Sequence, residues 1–309
     1  MKKIRLALLS GGNSSEREVS LNSGNQVYNA LNKDKYEIRR YDPKTDLINL
    51  VSEAPEIDAA LLILHGPNGE DGTIQGLLEL LNIPYQGAGV MGSSLAMNKI
   101  ASKKLYRQAN IPIPDYLYFN KDEQIDIDKC ILTLGLPIVV KPVNAGSSVG
   151  ITIVNNKQDL SLAIGEAFDQ DDWILMEEYI RGLELTCGVI GNRKMESLPV
   201  IEIIPGNGYN FFDYQAKYLA GATKEICPAR INDAVKNKVQ EYAIAAHKTL
   251  FLKGYSRTDM ILKDGNIYIL ETNTIPGMTE TSLYPQAAKV AGYSFSELLD
   301  KLISLAMER

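Results

Sequence analysis

Arg257-Thr258-Asp259-Met260-Ile261-Leu262 and the run from Asn266 to Leu270, continued by Glu271-Thr272-Asn273, flank Lys263-Asp264-Gly265. This is the pattern of a β-hairpin. Glu271 and Asn273 stand two apart in an extended segment, so their side chains share a face. Asp259 joins them only if it lies across the hairpin from Glu271. A two-residue Asp264-Gly265 turn pairs Asp259 with Leu270 and sends Glu271 to the opposite face. A three-residue Asp264-Gly265-Asn266 loop pairs Asp259 with Glu271 and Arg257 with Asn273. That loop, or an equivalent bulge, is the expectation. Three oxygen-bearing side chains on one rigid face, without His or Cys, suit Mg²⁺ bound together with phosphates. Scattered surface charge on a hairpin is the alternative. The continuation Thr272-Asn273-Thr274-Ile275-Pro276-Gly277-Met278-Thr279 favours the metal, because a Pro-Gly turn after the strand offers backbone N–H groups beside it.

A second element is Lys141-Pro142-Val143-Asn144-Ala145-Gly146-Ser147-Ser148-Val149-Gly150. A lysine ends an apolar strand and a Gly/Ser loop leads into the next one. Gly146 and Gly150 let backbone donors approach an anion, and the serines add hydroxyls. No Gly-Lys-Ser/Thr opens a helix, so this is not a Walker A loop. A flexible hairpin and a phosphate cover both fit the loop alone; the adjacent lysine favours phosphate.

Outward from these elements, the first 95 or so residues alternate strand and helix signals. They are strand Ile4–Ser10, helix Glu16–Ala30, strands Tyr36–Tyr41 and Ala59–Leu64, helix Thr73–Leu81 and a short strand Pro84–Gln86. That order suits an open, mostly parallel α/β sheet with ligands at the carboxyl ends of its strands. Two loops sit at such ends, Ser10 to Ser15 and His65 to Gly72. A long polar helix, Ser93 to Asn110, leads to the stiff connector Ile111-Pro112-Ile113-Pro114. Helices at Glu123–Leu134 and Gln158–Phe168, with strands Leu136–Lys141, Gly150–Val154 and Trp173–Glu178, make a small α+β unit. Strands Leu183–Ile190 and Leu198–Ile204, helix Asp233–Leu250, the hairpin and two C-terminal helices follow. Between them, 205–229 lacks periodicity yet holds Tyr209, Phe211, Phe212, Tyr214 and Tyr218. It is too aromatic for a linker, and a lid over a site fits it better.

Bulk properties narrow the classes. The 309 residues carry a net charge of −6, which speaks against a nucleic-acid partner. No apolar run approaches the roughly 20 residues of a membrane helix. The start Met1-Lys2-Lys3 runs into an apolar stretch without a small-residue cleavage site, so it reads as a first strand and the expected location is the cytoplasm. Cys130, Cys187 and Cys227 form no metal-type pair and read as buried thiols of a reducing compartment. With only His65 and His247 besides, zinc chemistry is not expected.

Together the motifs resemble the ATP-grasp enzymes, and among them the D-alanine–D-alanine ligase family, over the whole chain. The matching segments are Ser15-Glu16-Arg17-Glu18-Val19-Ser20, His65 to Gly72 with Gln75-Gly76, Lys141 to Gly150, Asp213 to Tyr218, and Glu271 to Thr279 with Ser282 and Leu283. The resemblance implies an ATP-grasp fold of mixed α/β and α+β type, preceded by an open, mostly parallel α/β N-terminal domain. The expected division is 1–97, 98–182 and 183–309, the last with its lid at 205–229. It implies ATP-dependent joining of two D-alanines through a D-alanyl phosphate, in a cytoplasmic homodimer. In that scheme Lys99 and Lys141 hold the α- and β-phosphates, the Ser147, Ser148 loop covers the triphosphate and Lys217 reaches the γ-phosphate. Glu177 and the backbone near Tyr179 and Ile180 receive adenine, and Glu184 the ribose. Asp259, Glu271 and Asn273 carry two Mg²⁺, for which Mn²⁺ can substitute. Glu16 binds the first D-alanine's ammonium with His65 nearby. Arg257 and the Gly277 N–H face the acyl carbonyl; Ser282 and the Leu283 N–H take the second substrate's carboxylate. Tyr218, Ser147 and Glu16 link lid to floor. A Tyr at 218 points to an amine nucleophile rather than D-lactate. Tyr179 stands where Trp is common in the family, which backbone contact to adenine tolerates. D-lactate- or D-serine-using ligases and a non-catalytic ATP-binding protein of the same fold are the rival expectations.

Overall fold

The computed structural model describes residues 2–144, 146, 150–206 and 223–308, and three sheets follow one another along it. The first comprises β1 (Ile4–Ser10), β2 (Tyr36–Tyr41) and β3 (Ala59–Ile63), all parallel in the order β2-β1-β3. Helices α1 (Arg17–Ala30), α2 (Leu47–Glu53), α3 (Thr73–Leu80) and α4 (Gly89–Met97) surround it. Strands β1 and β3 are apolar at consecutive positions because both their faces are buried. Leu6, Leu8, Leu61 and Ile63 enter one core; Ala7, Leu9, Ala60 and Leu62 enter another on the opposite face. The expected strand Pro84–Gln86 is reduced to one parallel bridge, Ala60 with Tyr85.

The second sheet follows α5 (Lys99–Gln108). It contains β4 (Tyr116–Asn120), then β5 (Ile138–Pro142) and β6 (Thr152–Val154) after α6 (Ile127–Leu134), and β7 (Trp173–Glu178) after α7 (Lys157–Phe168). The order is β4-β7-β5-β6, antiparallel throughout. Cys130, Leu134, Leu160 and Ala163 of the two helices pack on Ile138, Val140, Ile174 and Met176. The strand β4 has no counterpart in the sequence reading. The single helix expected over Ser93 to Asn110 is two. Asn98 is extended between α4 and α5, and its side chain accepts the Ala101 N–H, the behaviour of an N-cap asparagine.

The third sheet runs β11-β10-β8-β12-β13 with β9 on β8. Its strands are β8 (Leu183–Ile190), β9 (Glu196–Ser197), β10 (Ile201–Pro205), β11 (Thr223–Ile226), β12 (Tyr255–Lys263) and β13 (Asn266–Asn273). Helix α8 (Asp233–Thr249) packs on it, burying Val239, Ala243 and Ala246 with Leu185, Met260 and Ile269. The stretch 205–229 is therefore not irregular throughout: β11 pairs antiparallel with β10 inside it. Residues 207–222 of the expected lid, with Tyr209 through Tyr218, lie outside the described residues.

Two last helices, α9 (Leu283–Val290) and α10 (Phe295–Met307), return to the first sheet. Leu283, Tyr284, Leu298, Leu299 and Leu302 share one core with Leu6, Leu8 and Leu61. Helix α10 opens on a complete capping box between Ser294 and Glu297. None of the described helices is long and apolar enough to cross a membrane. Because this core couples the chain's two ends, truncating its centre tests the arrangement. Leu298, fully buried, replaced by Ala is expected to lower the unfolding free energy by roughly 2–5 kcal/mol, read as a lower urea midpoint at unchanged slope.

Candidate active site

The hairpin turn is two residues long, not three. Lys263 pairs with Asn266, and Asp264 and Gly265 both have positive φ, 50° and 79°, as a type I′ turn requires. The expected alignment is nevertheless reached, by the bulge. Met260 pairs with Ile269 but Asp259 with Glu271, so Leu270 is the extra residue. Beyond it Thr258 opposes Thr272 and Arg257 opposes Asn273. Asp259, Glu271 and Asn273 thus share a face. On the other face Thr258 and Thr272 meet at 3.0 Å, and Tyr106 of α5 donates to Thr272 at 2.8 Å.

Asp259 is held in place. It accepts from Arg257 Nε at 2.9 Å and NH2 at 2.7 Å, from Thr186 Oγ1 at 2.6 Å and from Asn273 Nδ2 at 3.1 Å. Two carboxylates and an amide oxygen, with no sulfur or imidazole, are the donors a hard cation takes. The residues present fit Mg²⁺.

One cavity of about 540 Å³ gathers most of the other expected residues. Glu16, His65, Lys99, Arg257, Glu271, Asn273, Gly277, Ser282 and Leu283 all line it. Glu16 is only 5 % exposed. A Cβ at Gly146 would come within 2.9 Å of its Oε2 and one at Gly66, where φ is +72°, within 3.1 Å. These two glycines let the His65 loop and the Lys141 loop close around the carboxylate. Glu16 occupies the N-cap position of α1 without a side-chain cap bond. Ser14 Oγ accepts the Glu16 N–H at 3.2 Å and donates to the His65 carbonyl at 2.7 Å. His65 is buried, and its Nε2 has no hydrogen-bond partner among the described residues. Burial pushes its imidazole below the ordinary value, and the Glu16 charge offsets part of this.

Ser282 N-caps α9 in position only. Its Oγ accepts the Thr279 N–H at 3.1 Å and meets Thr279 Oγ1 at 2.7 Å, leaving the Leu283 end of the helix facing the cavity.

The expected nucleotide residues fall in two places. Lys99, the first residue of α5, lines the cavity. Lys141 and Glu177 instead form a buried ion cluster with Lys103: both ammoniums pair with the one carboxylate. Burial raises the Glu177 carboxyl, but Lys103 and Lys141 together hold it below its ordinary value; burial pulls Lys103 down to about 8. The Tyr179 N–H donates to the Pro137 carbonyl at 3.1 Å, so the Tyr179 carbonyl and the Ile180 backbone are the candidates for a base. Glu184, on β8, is half-buried. Ser147, Ser148, Lys217 and Tyr218 lie outside the described residues.

Three residues were missed. Thr186 anchors Asp259. Lys103 follows Lys99 by four positions on a helix, which places both on one face. Glu70 lies inside the His65–Gly72 segment and lines the cavity, accepting the Gly66 N–H at 2.7 Å.

A parallel α/β unit followed by two antiparallel sheets is the architecture of the ATP-grasp enzymes. Family models described as D-ala D-ala ligase N-terminus and D-ala D-ala ligase C-terminus match residues 39–88 and 105–304. The chain belongs to the D-alanine–D-alanine ligase family. It is 58% identical over 307 residues to the D-alanine–D-alanine ligase of Syntrophobacter fumaroxidans, covering 99% of both chains. It superposes with a TM-score of 0.87 on the D-alanine–D-alanine ligase of Bacillus anthracis complexed with ATP, at 37% identity over 98% of this chain and 97% of that one. The D-Ala:D-Ser ligase of Enterococcus faecalis is similar at a TM-score of 0.86 and 36% identity, covering 99% of this chain and 100% of that one.

Burial, reinforced by the Glu16 charge, pushes the Glu70 carboxyl up to about 8. A carboxyl raised this far favours the folded state below its unfolded pKa near 4.5, and that contribution is lost as pH rises towards 8. Glu70→Gln removes the titration. Its stability relative to the parent is expected to be constant below pH 4.5 and to rise by on the order of 4 kcal/mol by pH 8. Urea unfolding in EDTA across that range checks it; a difference independent of pH contradicts it.

Proposed function

We propose that this chain joins two D-alanines into D-alanyl-D-alanine with ATP, through a D-alanyl phosphate, as a precursor for peptidoglycan. The observation that carries the reading is the single cavity lined by Glu16, Lys99, Arg257, Glu271 and Ser282. It sets an ammonium acceptor, a phosphate donor group, an oxyanion-facing guanidinium, a metal-ligand carboxylate and a helix start around one volume.

Glu16 binds the ammonium of the first D-alanine, beside His65. The carboxylate of that D-alanine attacks the γ-phosphoryl group of ATP, forming D-alanyl phosphate as the bond to the β-phosphate oxygen breaks and ADP is released. The phosphates of ATP are held by Lys99, Lys141, the Ser147, Ser148 loop and Lys217. Asp259, Glu271 and Asn273 would hold two Mg²⁺, or Mn²⁺ in their place, and the ions would supply positive charge against the transferring phosphoryl group. The second D-alanine presents its carboxylate to Ser282 Oγ and the Leu283 N–H at the start of α9. Once its amine has lost a proton it attacks the acyl carbon. Arg257 and the Gly277 N–H stabilise the oxyanion of the tetrahedral intermediate, and phosphate leaves. Tyr218, Ser147 and Glu16 orient the second substrate; a Cβ added at Gly146 would come within 2.9 Å of Glu16 Oε2, so the backbone just before Ser147 reaches that carboxylate. Adenine sits by Glu177 and the Tyr179, Ile180 backbone, and the ribose by Glu184. Residues 1–97, 98–182 and 183–309 form the three functional units, in a cytoplasmic homodimer.

Likeness to a D-Ala:D-Ser ligase supports a second reading, in which another D-amino acid or hydroxy acid is the acceptor. Phosphate release with D-alanine alone, then with D-serine or D-lactate added, separates the two. D-alanine alone is expected to give full turnover and only the alanyl dipeptide. ATP binding without D-alanine-dependent phosphate release identifies a non-catalytic protein instead.

Glu271→Gln is expected to reduce turnover by at least about a hundredfold, a few kcal/mol of transition-state stabilisation. Circular dichroism should be unchanged, and retained activity contradicts the metal assignment.

A further inference from the structure

Helix α5 presents Lys99, Lys103 and Tyr106 at positions i, i+4 and i+7, one face of the helix. Tyr106 is tied to Thr272 on the metal hairpin at 2.8 Å. The Lys103 side chain, 0% exposed, ends on the Glu177 carboxylate of β7, with the Tyr116 ring centroid 5.8 Å from its Nζ. Lys141, at 7% exposure, ends on the other oxygen of the same carboxylate. It stands where β5 enters the loop through Gly146. The cluster holds one negative and two positive charges, so it is not a neutral pair.

A second buried ammonium is costly where one already neutralises the carboxylate. Its desolvation is offset if the surplus positive charge serves an anion. Lys103 is enclosed and cannot be the group that meets that anion; Lys141 can. We infer that Lys103 is a positioning residue for the nucleotide: by holding Glu177 itself, it leaves the charge of Lys141 to a phosphate. Without Lys103, Lys141 and Glu177 are a closed neutral pair, and a phosphate must break it and strand a buried carboxylate. This rests on the reading of Lys141 as a phosphate ligand.

The test is a double-mutant cycle on nucleotide affinity, measured by titrating the full chain with Mg²⁺ and ATP in the absence of D-alanine. Lys103→Met is expected to weaken binding about tenfold or more in the parent, because the phosphate must then break the Lys141–Glu177 pair and leave a buried carboxylate unpaired. In the Glu177→Gln background the same substitution is expected to cost less than about threefold, because Lys141 then has no carboxylate to be captured by. A lysine that only packs the core costs the same in both backgrounds, and that outcome, or no cost in the parent, overturns the inference. Where Lys103→Met does not fold by circular dichroism, Lys103→Gln, which keeps a donor but no charge, is read in the same cycle. Lys141→Met separates the two levels of the argument. If it binds ATP as tightly as the parent, or the parent binds none, the phosphate reading of Lys141 falls and this inference with it.

Discussion

The candidate site depends on one residue that has no partner across the hairpin. In β13, Ile267 and Ile269 face the core with Met260 and α8, and strict alternation would send Glu271 in after them. A carboxylate there would have to be buried in an apolar layer at a cost of several kcal/mol. Leu270 is bulged instead, and the strand turns over by one residue. Glu271 and Asn273 then face the cavity while Thr272 takes the core side, where its hydroxyl meets Thr258 and Tyr106. The bulge and this threonine–tyrosine network hold each other in place, since each inward hydroxyl is satisfied only in the shifted register.

From that face the rest of the site is assembled by long-range packing. Tyr106 fixes α5 to the back of the hairpin, and α5 carries Lys99 to the cavity and Lys103 to Glu177. Met278, Leu283 and Tyr284 pack into the core of the first sheet. This brings the start of α9 to the same cavity as Glu16 and His65, more than two hundred positions earlier. Sheets that would otherwise be independent α+β units are thereby clamped around one volume.

Charge in and beside this volume is arranged by sharing. Glu177 serves two lysines, and Asp259 serves Arg257, Thr186 and Asn273. Glu70 forms no ion pair among the described residues, and burial, with the Glu16 charge behind it, raises its carboxyl. A nucleotide and a zwitterionic substrate bring opposite charges to such a surface, so binding redistributes partners that are already oriented.

Much of this was legible in the residues. Consecutive apolar residues announced β1 and β3, the strand-like run before Lys263-Asp264-Gly265 announced β12, and the spacing of Asp259, Glu271 and Asn273 demanded a bulge or a longer loop. The motifs around Glu16, Lys141 and Ser282 carried the family. The sequence did not distinguish the bulge from a three-residue loop, because local turn chemistry at Asp264-Gly265 favours two residues and only the core behind Ile269 selects the shift. It also did not reveal that Asn98 breaks one helix into two, that β11 closes the third sheet, or that Lys103 is buried on Glu177. Local propensity and motif chemistry are properties of neighbouring residues, and they sufficed for the elements and the family. Register, burial and the sharing of a carboxylate between two helix- and strand-borne lysines arise between segments far apart in the chain, so only the packed tertiary structure decided them.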